Sequence, residues 1–338
     1  MRAYLFSEFG IDRLRVETID PPVPGPGEVV VDLRAISLNY RDLLVVKGQY
    51  NPKLLADGRP RTPISDGAGI VSAVGQGVEN PAVGDRVVSH FVADWIDGPF
   101  RSEYVRTSLG TPGPGLAAEQ VVLPAQAVLP IPGGFDFGQA ATLPIAALTA
   151  WSALVTVGRI QPGQTVLTLG TGGVSIFAVQ LATALGAKVI ITSSTDQKLA
   201  RAGQLGADHG VNYRTESDWS RAVLDHTSGR GVDLTVETGG AGTLEHSFKA
   251  TRAGGTVAFL GAVTGLRGEL NLATLMMKRL HLVGIYVDSR ASFAALIQFL
   301  ECHAIRPVID RTFGFGELPE ALRYLESGAH FGKVVVSI

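Results

Sequence analysis

The sequence predicts an α/β protein of two domains, one an antiparallel β-barrel-like domain and the other a doubly wound parallel sheet. Three observations predict this. With 338 residues the chain is too long for one ordinary core. Its first half contains short strands separated by glycines. After about Gly158, apolar strands instead alternate with helical patterns.

The first half begins its strand pattern at Glu28, from which apolar residues alternate as far as Leu38, the period of a strand with one buried face. Three further runs have the same character: Gly69–Val74, Arg86–Phe91 and Glu119–Leu123. Short strands divided by turns are typical of an antiparallel barrel. The Gly/Pro-rich residues 92–118 predict a long loop, a natural place for substrate selection.

The second half contains five apolar runs, typical of parallel strands buried on both faces: Val166–Leu169, Val189–Thr192, Leu234–Glu237, Thr256–Leu260 and His281–Val287. Helices are predicted between them at Asp196–Leu205, Asp218–Thr227 and Thr243–Thr251. Two last helices and a last strand are expected to return to the first domain: Ser292–His303, Leu318–Glu326 and Lys333–Ser337. We expect one domain over 1–145 with 289–338 and another over 146–288.

The charge balance argues against nucleic-acid or membrane partners, because 29 basic and 31 acidic residues leave a net charge of −2. The single cysteine, Cys302, allows neither an internal disulfide nor a thiolate metal site, which fits a reducing compartment and predicts a cytoplasmic protein. Two uncharged stretches are as long as a membrane span, Phe137–Gly158 and Gln164–Ala187, but Pro144 interrupts one and a glycine turn the other.

That glycine turn lies between the first apolar run of the second half and a predicted helix, Val174–Gly186. A nucleotide pyrophosphate needs a tight turn without side chains, facing backbone N–H groups and the positive end of a helix. The turn therefore predicts a dinucleotide site, although a glycine-rich turn in another α/β protein is an alternative. The residues expected to contact the cofactor here are Gly170, Thr171, Gly172, Gly173 and Val174.

The choice of dinucleotide depends on the end of the second apolar run, where NAD sites commonly carry an acidic residue. Here the run ends in Ser193 and Ser194, and Lys198 follows one helical turn later. Hydroxyls with a cation favour the 2′-phosphate of NADP(H). NAD(H) stays the less favoured alternative, with Asp196 swinging in to serve it. Strand-end residues expected to contact the cofactor are Thr238, Gly239, Gly261, Ala262 and Val263, and Gly240 lies beside them.

The chain resembles the medium-chain dehydrogenase/reductase superfamily over essentially its whole length, and is most similar to the zinc-free branch of quinone oxidoreductases, zeta-crystallin-like proteins and enone reductases. The segments that carry the resemblance are, in order, 24–29 (Pro-Gly-Pro-Gly-Glu-Val), 39–42 (Asn-Tyr-Arg-Asp), 67–69, 83–87 (Val-Gly-Asp-Arg-Val), 143–144 with 148–151, the glycine turn and 332–335. The resemblance implies a GroES-like barrel, a Rossmann domain, a substrate cleft between them and a homodimer, which the strand His281–Val287 is expected to join.

The resemblance also implies that no metal is bound, since Asn39, Ser65 and Ile145 stand where zinc alcohol dehydrogenases carry ligands. Asn39 and Tyr50 become the candidate catalytic residues, as neutral donors to a developing enolate. Asp42 and Asp66, near the metal in zinc enzymes, are expected to brace backbone or pair with Arg41 rather than to act as acids.

Further residues carried over from the family are Thr149, Tyr213 and Lys333 at the cofactor, and Phe91, Trp95 and Tyr286 in the substrate pocket. The function that follows is NADPH-dependent hydride transfer, without metal, to a small-molecule quinone or α,β-unsaturated carbonyl. A zinc-independent alcohol dehydrogenase or carbonyl reductase is one alternative. A low-turnover NADP(H)-binding sensor or structural protein is another, because fold does not settle function.

Overall fold

The computed structural model describes residues 1–338 and divides into two compact units. One consists of Met1–Ala146 with Asp288–Ile338, and the other of Ala147–Val287. Both final helices and the final strand belong to the first unit.

Strands and α-helices follow one another along the whole chain. The strands are β1 (Arg2–Leu5), β2 (Arg15–Thr18), β3 (Glu28–Leu38), β4 (Asp66–Val74), β5 (Arg86–Ser89), β6 (Gln120–Pro124), β7 (Val128–Pro130), β8 (Thr165–Leu169), β9 (Lys188–Ser193), β10 (His209–Asn212), β11 (Val232–Glu237), β12 (Thr251–Phe259), β13 (His281–Gly284), β14 (Ile309–Gly314) and β15 (Lys333–Ser337). The α-helices are α1 (Tyr40–Val46), α2 (Phe137–Ala141), α3 (Leu148–Trp151), α4 (Gly173–Ala184), α5 (Asp196–Gln204), α6 (Trp219–His226), α7 (Leu244–Ala250), α8 (Ala273–Met277), α9 (Arg290–Cys302) and α10 (Leu318–Glu326).

The first unit is built on a seven-stranded sheet in the order β14-β15-β3-β4-β5-β7, with β6 also paired to β3. Its pairs are antiparallel except for β14 with β15. The predicted strand over 28–38 is confirmed as β3, but the expectation of a single buried face is wrong. Val30 and Ile36, on the other face, are buried as well, so both faces of β3 are covered, and α2 is one of the elements that pack against this strand.

The second unit is a six-stranded sheet in the order β10-β9-β8-β11-β12-β13, in which every pair is parallel. This is the order of a dinucleotide-binding fold and confirms the predicted doubly wound sheet. The edge strand β10 was not predicted, because His209 and Gly210 carry little strand signal. The strand β13 ends at Gly284 rather than at Val287, which has a φ of 52°.

The uncharged stretch around Pro144 forms helical turns, with π-helical segments at Leu143–Ala147 and Ser152–Val157 on either side of α3. Pro144 lies in the first of these turns, where its missing N–H costs no helical hydrogen bond. None of the helices combines the length and apolar character needed to cross a bilayer.

The predicted loop over 92–118 contains no strand, only a 3₁₀ segment at Ser102–Thr107 and isolated bridges that pair Val92 with Ser108 and Ala118 with Ala3. Residues 96–103 are exposed to solvent, whereas Leu109 and Leu116 are almost fully buried.

Candidate functional site

The glycine turn has the geometry that a pyrophosphate needs. Gly170 follows β8 with a φ of 71°, a conformation that favours glycine, and no atom lies within 4 Å of the place a Cβ would take. Gly172 precedes α4 in an extended conformation and contributes no side-chain cap. The first backbone N–H groups of this 12-residue helix are therefore left for an anionic ligand, and the residues present fit a dinucleotide.

Two hydroxyl groups hold the strand end that leads into this turn. Ser175 Oγ donates to the Leu169 carbonyl at 2.6 Å, and Thr238 Oγ1 donates to the same oxygen at 2.7 Å. Ser175 stands where the dinucleotide fingerprint usually has Gly or Ala, and here its hydroxyl serves helix-to-strand packing. Thr238 thereby links the ends of β8 and β11.

The ends of β9 and β10 carry three of the residues predicted to contact the cofactor. Ser193 is buried and Ser194 half-buried, while Tyr213 is 42% exposed and its N–H donates to the Ser193 carbonyl at 3.0 Å. Lys198 lies half-buried in the first turn of α5, with its backbone N–H on the Thr195 hydroxyl. The structure thus places Ser193, Ser194 and Tyr213 at the ends of two neighbouring strands, with Lys198 in the helix that follows the serines.

Glu237 is a site residue that the sequence analysis missed. Its buried carboxylate accepts hydrogen bonds from the N–H groups of Gly239 at 2.7 Å and Gly240 at 3.1 Å. It also accepts from the hydroxyls of Thr243, at 2.8 Å, and Ser247. A charged residue that ends an apolar strand, one residue before a pair of glycines, is the signal that would have identified it. Glu237 therefore shapes the predicted cofactor loop.

The segment after β12 packs against the same loop, where Gly261 lies next to Thr238. A Cβ on Gly261 would lie 1.9 Å from the Thr238 carbonyl oxygen, so only glycine permits this approach. Ala262 is half-buried and Val263 is 61% exposed. Thr149, also predicted to touch the cofactor, is buried in α3. These contacts with cofactor stay predictions.

Asn39 is the centre of a buried polar cluster in the first unit. Its Nδ2 donates to Asp66 Oδ2 at 2.8 Å, and its Oδ1 accepts from Lys333 Nζ at 2.7 Å. Because an ammonium only donates and a carboxylate accepts, these two partners determine that the amide oxygen faces Lys333 and the amide nitrogen faces Asp66. The backbone N–H of Asn39 donates to Asp42 Oδ2 at 2.9 Å and caps α1.

Burial dominates the electrostatics of this cluster. It raises the pKa of Asp66 to about 7 and lowers the pKa of Lys333 to about 8, each opposed by the attraction between the two charges. Burial also raises the pKa of Asp42, opposed first by the neighbouring Arg41 guanidinium. Lys333 is 3% exposed and donates to the Leu38 carbonyl and Asn39, so the hydrogen bonds of its ammonium lie within the first unit. Its predicted contact with the cofactor stays a prediction.

The three positions that resemble zinc-ligand positions all contact one of the two buried carboxylates. Asn39 donates to Asp66, and so does the backbone N–H of Ile145, at 3.3 Å. Ser65 Oγ donates to Asp42 Oδ1 at 2.6 Å. Asp42 and Asp66 thus brace their neighbours, and no group of three or more His, Cys, Asp or Glu side chains is placed to hold a metal ion.

Arg41 connects this cluster to Tyr50. Its guanidinium carbon lies 4.7 Å from the centre of the Tyr50 ring and 4.8 Å from that of Phe91. The same guanidinium donates to Ser65 and to the carbonyls of Leu109, at 2.9 Å, and of Thr111. Tyr50 is 39% exposed. The two predicted catalytic residues therefore belong to one connected network, through Asp42, Ser65 and Arg41.

The predicted pocket aromatics are placed differently from one another. Phe91 is 1% exposed beneath Arg41, and Trp95 is 7% exposed with its indole N–H on the Gly98 carbonyl at 2.9 Å. Trp95 also packs against Phe100 and Tyr104. Tyr286 is half-buried after β13 in the second unit. Their roles at the substrate stay predictions.

Both halves of this chain match families of known proteins. Residues 25–133 match the family model of the alcohol dehydrogenase GroES-like domain, and residues 173–301 match that of zinc-binding dehydrogenases. A zinc-type alcohol dehydrogenase-like protein of Schizosaccharomyces pombe is 40% identical over 97% of this chain and 96% of its own.

Two solved structures extend the comparison. An NAD-dependent alcohol dehydrogenase has a TM-score of 0.91 at 36% identity, with all of both chains covered. The Escherichia coli quinone oxidoreductase complexed with NADPH has a TM-score of 0.86 at 25% identity, again with all of both chains covered.

Proposed function

This chain belongs to the medium-chain dehydrogenase/reductase superfamily of oxidoreductases, and from that premise we propose that it transfers hydride from NADPH to a quinone or an α,β-unsaturated carbonyl compound without a metal ion. The observation that carries the proposal is the cluster around Asn39. In place of metal ligands it contains an oriented amide, held between the Lys333 ammonium and the Asp66 carboxylate.

NADPH supplies the hydride in this proposal. Hydride addition to the β-carbon of an enone, or to a quinone, leaves negative charge on the substrate oxygen, where neutral hydrogen-bond donors stabilise it. Asn39 Nδ2 gives one hydrogen to Asp66 and carries a second, which would donate to that oxygen. The Tyr50 hydroxyl would be the other donor, and water would supply the proton to the α-carbon.

Support for NADPH over NADH comes from the ends of β9 and β10. Ser193 and Ser194 add no negative charge beside a 2′-phosphate, and Lys198 lies in the following turn. The E. coli quinone oxidoreductase was solved with NADPH. NADH stays the alternative, because an NAD-dependent alcohol dehydrogenase is more similar to this chain, at 36% identity, than that quinone oxidoreductase, at 25%.

Carbonyl reduction is the second candidate, favoured by the 40% identity to an alcohol dehydrogenase-like protein. The deciding experiment follows NADPH oxidation by the metal-free protein with enones, quinones and aldehydes, with NADH in parallel and the carbon product identified. A saturated ketone from an enone, or a hydroquinone from a quinone, supports the proposal. Turnover of aldehydes alone supports carbonyl reduction, and tight NADPH binding without any turnover supports a sensor.

The Tyr50→Phe variant tests the proposed donor, because phenylalanine keeps a ring against Arg41 and removes only the hydroxyl. We expect kcat to fall about 10²-fold while the Kd of NADPH stays unchanged. Tyr40→Phe is the matched control, since Tyr40 is 37% exposed and Tyr50 39%. Equal kcat values in the two variants would remove Tyr50 from the mechanism.

We further expect a homodimer in which two copies pair along the edge strand β13. Large apolar side chains are exposed at and beside this edge: Leu282 at 41%, Met276 at 72% and Met277 at 77%. An unpaired edge with apolar neighbours favours association with another chain. The molar mass from light scattering in solution tests this, and a monomer at micromolar concentration would contradict it.

A further inference from the structure

A side-chain hydrogen bond joins the start of α5 to the end of β10. Asn212 Nδ2 donates to Asp196 Oδ1 at 2.7 Å. Asp196 is the first residue of α5, and Asn212 is the last residue of β10, paired in register with Ser193. The bond therefore lies beside the serines proposed to recognise the adenosine ribose.

The orientation of the Asn212 amide is determined by its other contact. Its Oδ1 accepts from the Arg214 N–H at 3.0 Å, which leaves Nδ2 as the end that faces Asp196. Asn212 is only 9% exposed, so this amide has little freedom to turn. Asp196 itself is exposed and depends on the amide for its direction.

The carboxylate so held belongs to the first acidic residue after Ser193 and Ser194 in the chain. A free carboxylate at this edge would accept hydrogen bonds from the ribose 2′-hydroxyl of NAD and would repel the 2′-phosphate of NADP. The direction in which Asp196 points thus bears on the choice between the two cofactors.

We infer that Asn212 is a specificity-determining positioning residue, which keeps the Asp196 carboxylate engaged in this hydrogen bond instead of free to turn toward the 2′-phosphate, and so maintains a preference for NADPH over NADH. This inference rests on the proposed use of NADPH. Neither Asn212 nor Asp196 needs to touch the cofactor for the effect, because the interaction is between charges.

The test measures Kd values of NADPH and NADH by calorimetry on the full-length protein, without turnover, for wild type, Asn212→Ala, Asp196→Asn and the double variant. Asn212→Ala should raise the Kd of NADPH about tenfold and leave that of NADH unchanged or lower. In the Asp196→Asn background no charge is left to release, so the same change at Asn212 should have no selective effect. Thermal melting verifies that each variant is folded.

Four outcomes overturn the inference. If the double variant binds NADPH as weakly as Asn212→Ala, then Asn212 acts by shaping the turn around Tyr213 and not through Asp196. If Asp196→Asn alone strengthens NADPH binding severalfold, the carboxylate already repels the phosphate in the wild type; this variant decides the matter even if Asn212→Ala does not fold. A wild type that prefers NADH overturns the NADPH proposal as well, whereas a wild type that prefers NADPH with an unchanged ratio in Asn212→Ala overturns only the role of Asn212.

Discussion

Replacement of Lys333 by methionine removes the cation from the buried cluster while keeping most of the side-chain volume. The ammonium donates at 2.7 Å both to the Leu38 carbonyl and to Asn39 Oδ1. Its loss leaves the carboxylates of Asp66 and Asp42, both buried, without this positive charge. Breaking a buried charge pair on one side costs about 3 to 5 kcal/mol, and we expect Lys333→Met to lose that much free energy of unfolding.

The loss should depend on pH in a direction that the structure determines. Asp66 already has a pKa raised to about 7 by burial, and the pKa rises further when the ammonium is removed. Between its unfolded value and this raised value, the folded protein holds a proton that the unfolded chain has released, so stability falls as pH increases. In the variant the free energy of unfolding continues to fall up to a higher pH than in the wild type. The difference in stability between the two proteins therefore grows above about pH 7.

The assay is urea unfolding followed by circular dichroism at about pH 6 and about pH 8. Lys47→Met is the matched control in the same unit, because the ion pair of Lys47 with Glu326 is solvent-exposed on both sides and contributes less than about 1 kcal/mol. A Lys333→Met variant no less stable than Lys47→Met, or one whose loss is the same at both pH values, would refute the reasoning.

Three further predictions concern single positions. Burial lowers the pKa of His90 to about 4, so the unfolded chain binds a proton that the folded protein does not, and stability is lost as pH falls from about 6.5 toward 4. The His90→Leu variant should lose less stability than the wild type over that range. Parallel plots of unfolding free energy against pH for the two proteins would contradict this role of His90. Gly261→Ala forces a Cβ to within 1.9 Å of the Thr238 carbonyl and should weaken NADPH binding and lower the melting temperature; Gly203→Ala, in open space on α5, is the control and should do neither. Lys198→Glu should raise the Kd of NADPH at least about tenfold more than that of NADH, and equal losses would remove Lys198 from phosphate recognition.

The parts of the site that were predictable are those formed by neighbours in the sequence. The glycine turn, its apolar strand and its helix lie within 20 residues, and a tight turn before a helix has few sequence solutions. The network of Glu237 was missed although its partners are local, because the sequence analysis weighed the glycines at the end of this strand and not the charged residue before them.

By itself, the sequence determined the two kinds of sheet and the dinucleotide turn, since periodicity and glycine positions are local properties of the chain, whereas Asn39 and Tyr50 became candidates through the resemblance to a family. Only the tertiary structure decided what those candidates contact. Lys333 and Asn39 are 294 residues apart and meet because β15 pairs with β3, which sets Val334 opposite Leu38. Strand pairing over such a separation depends on the whole folded unit, and it is this pairing that orients the amide of Asn39.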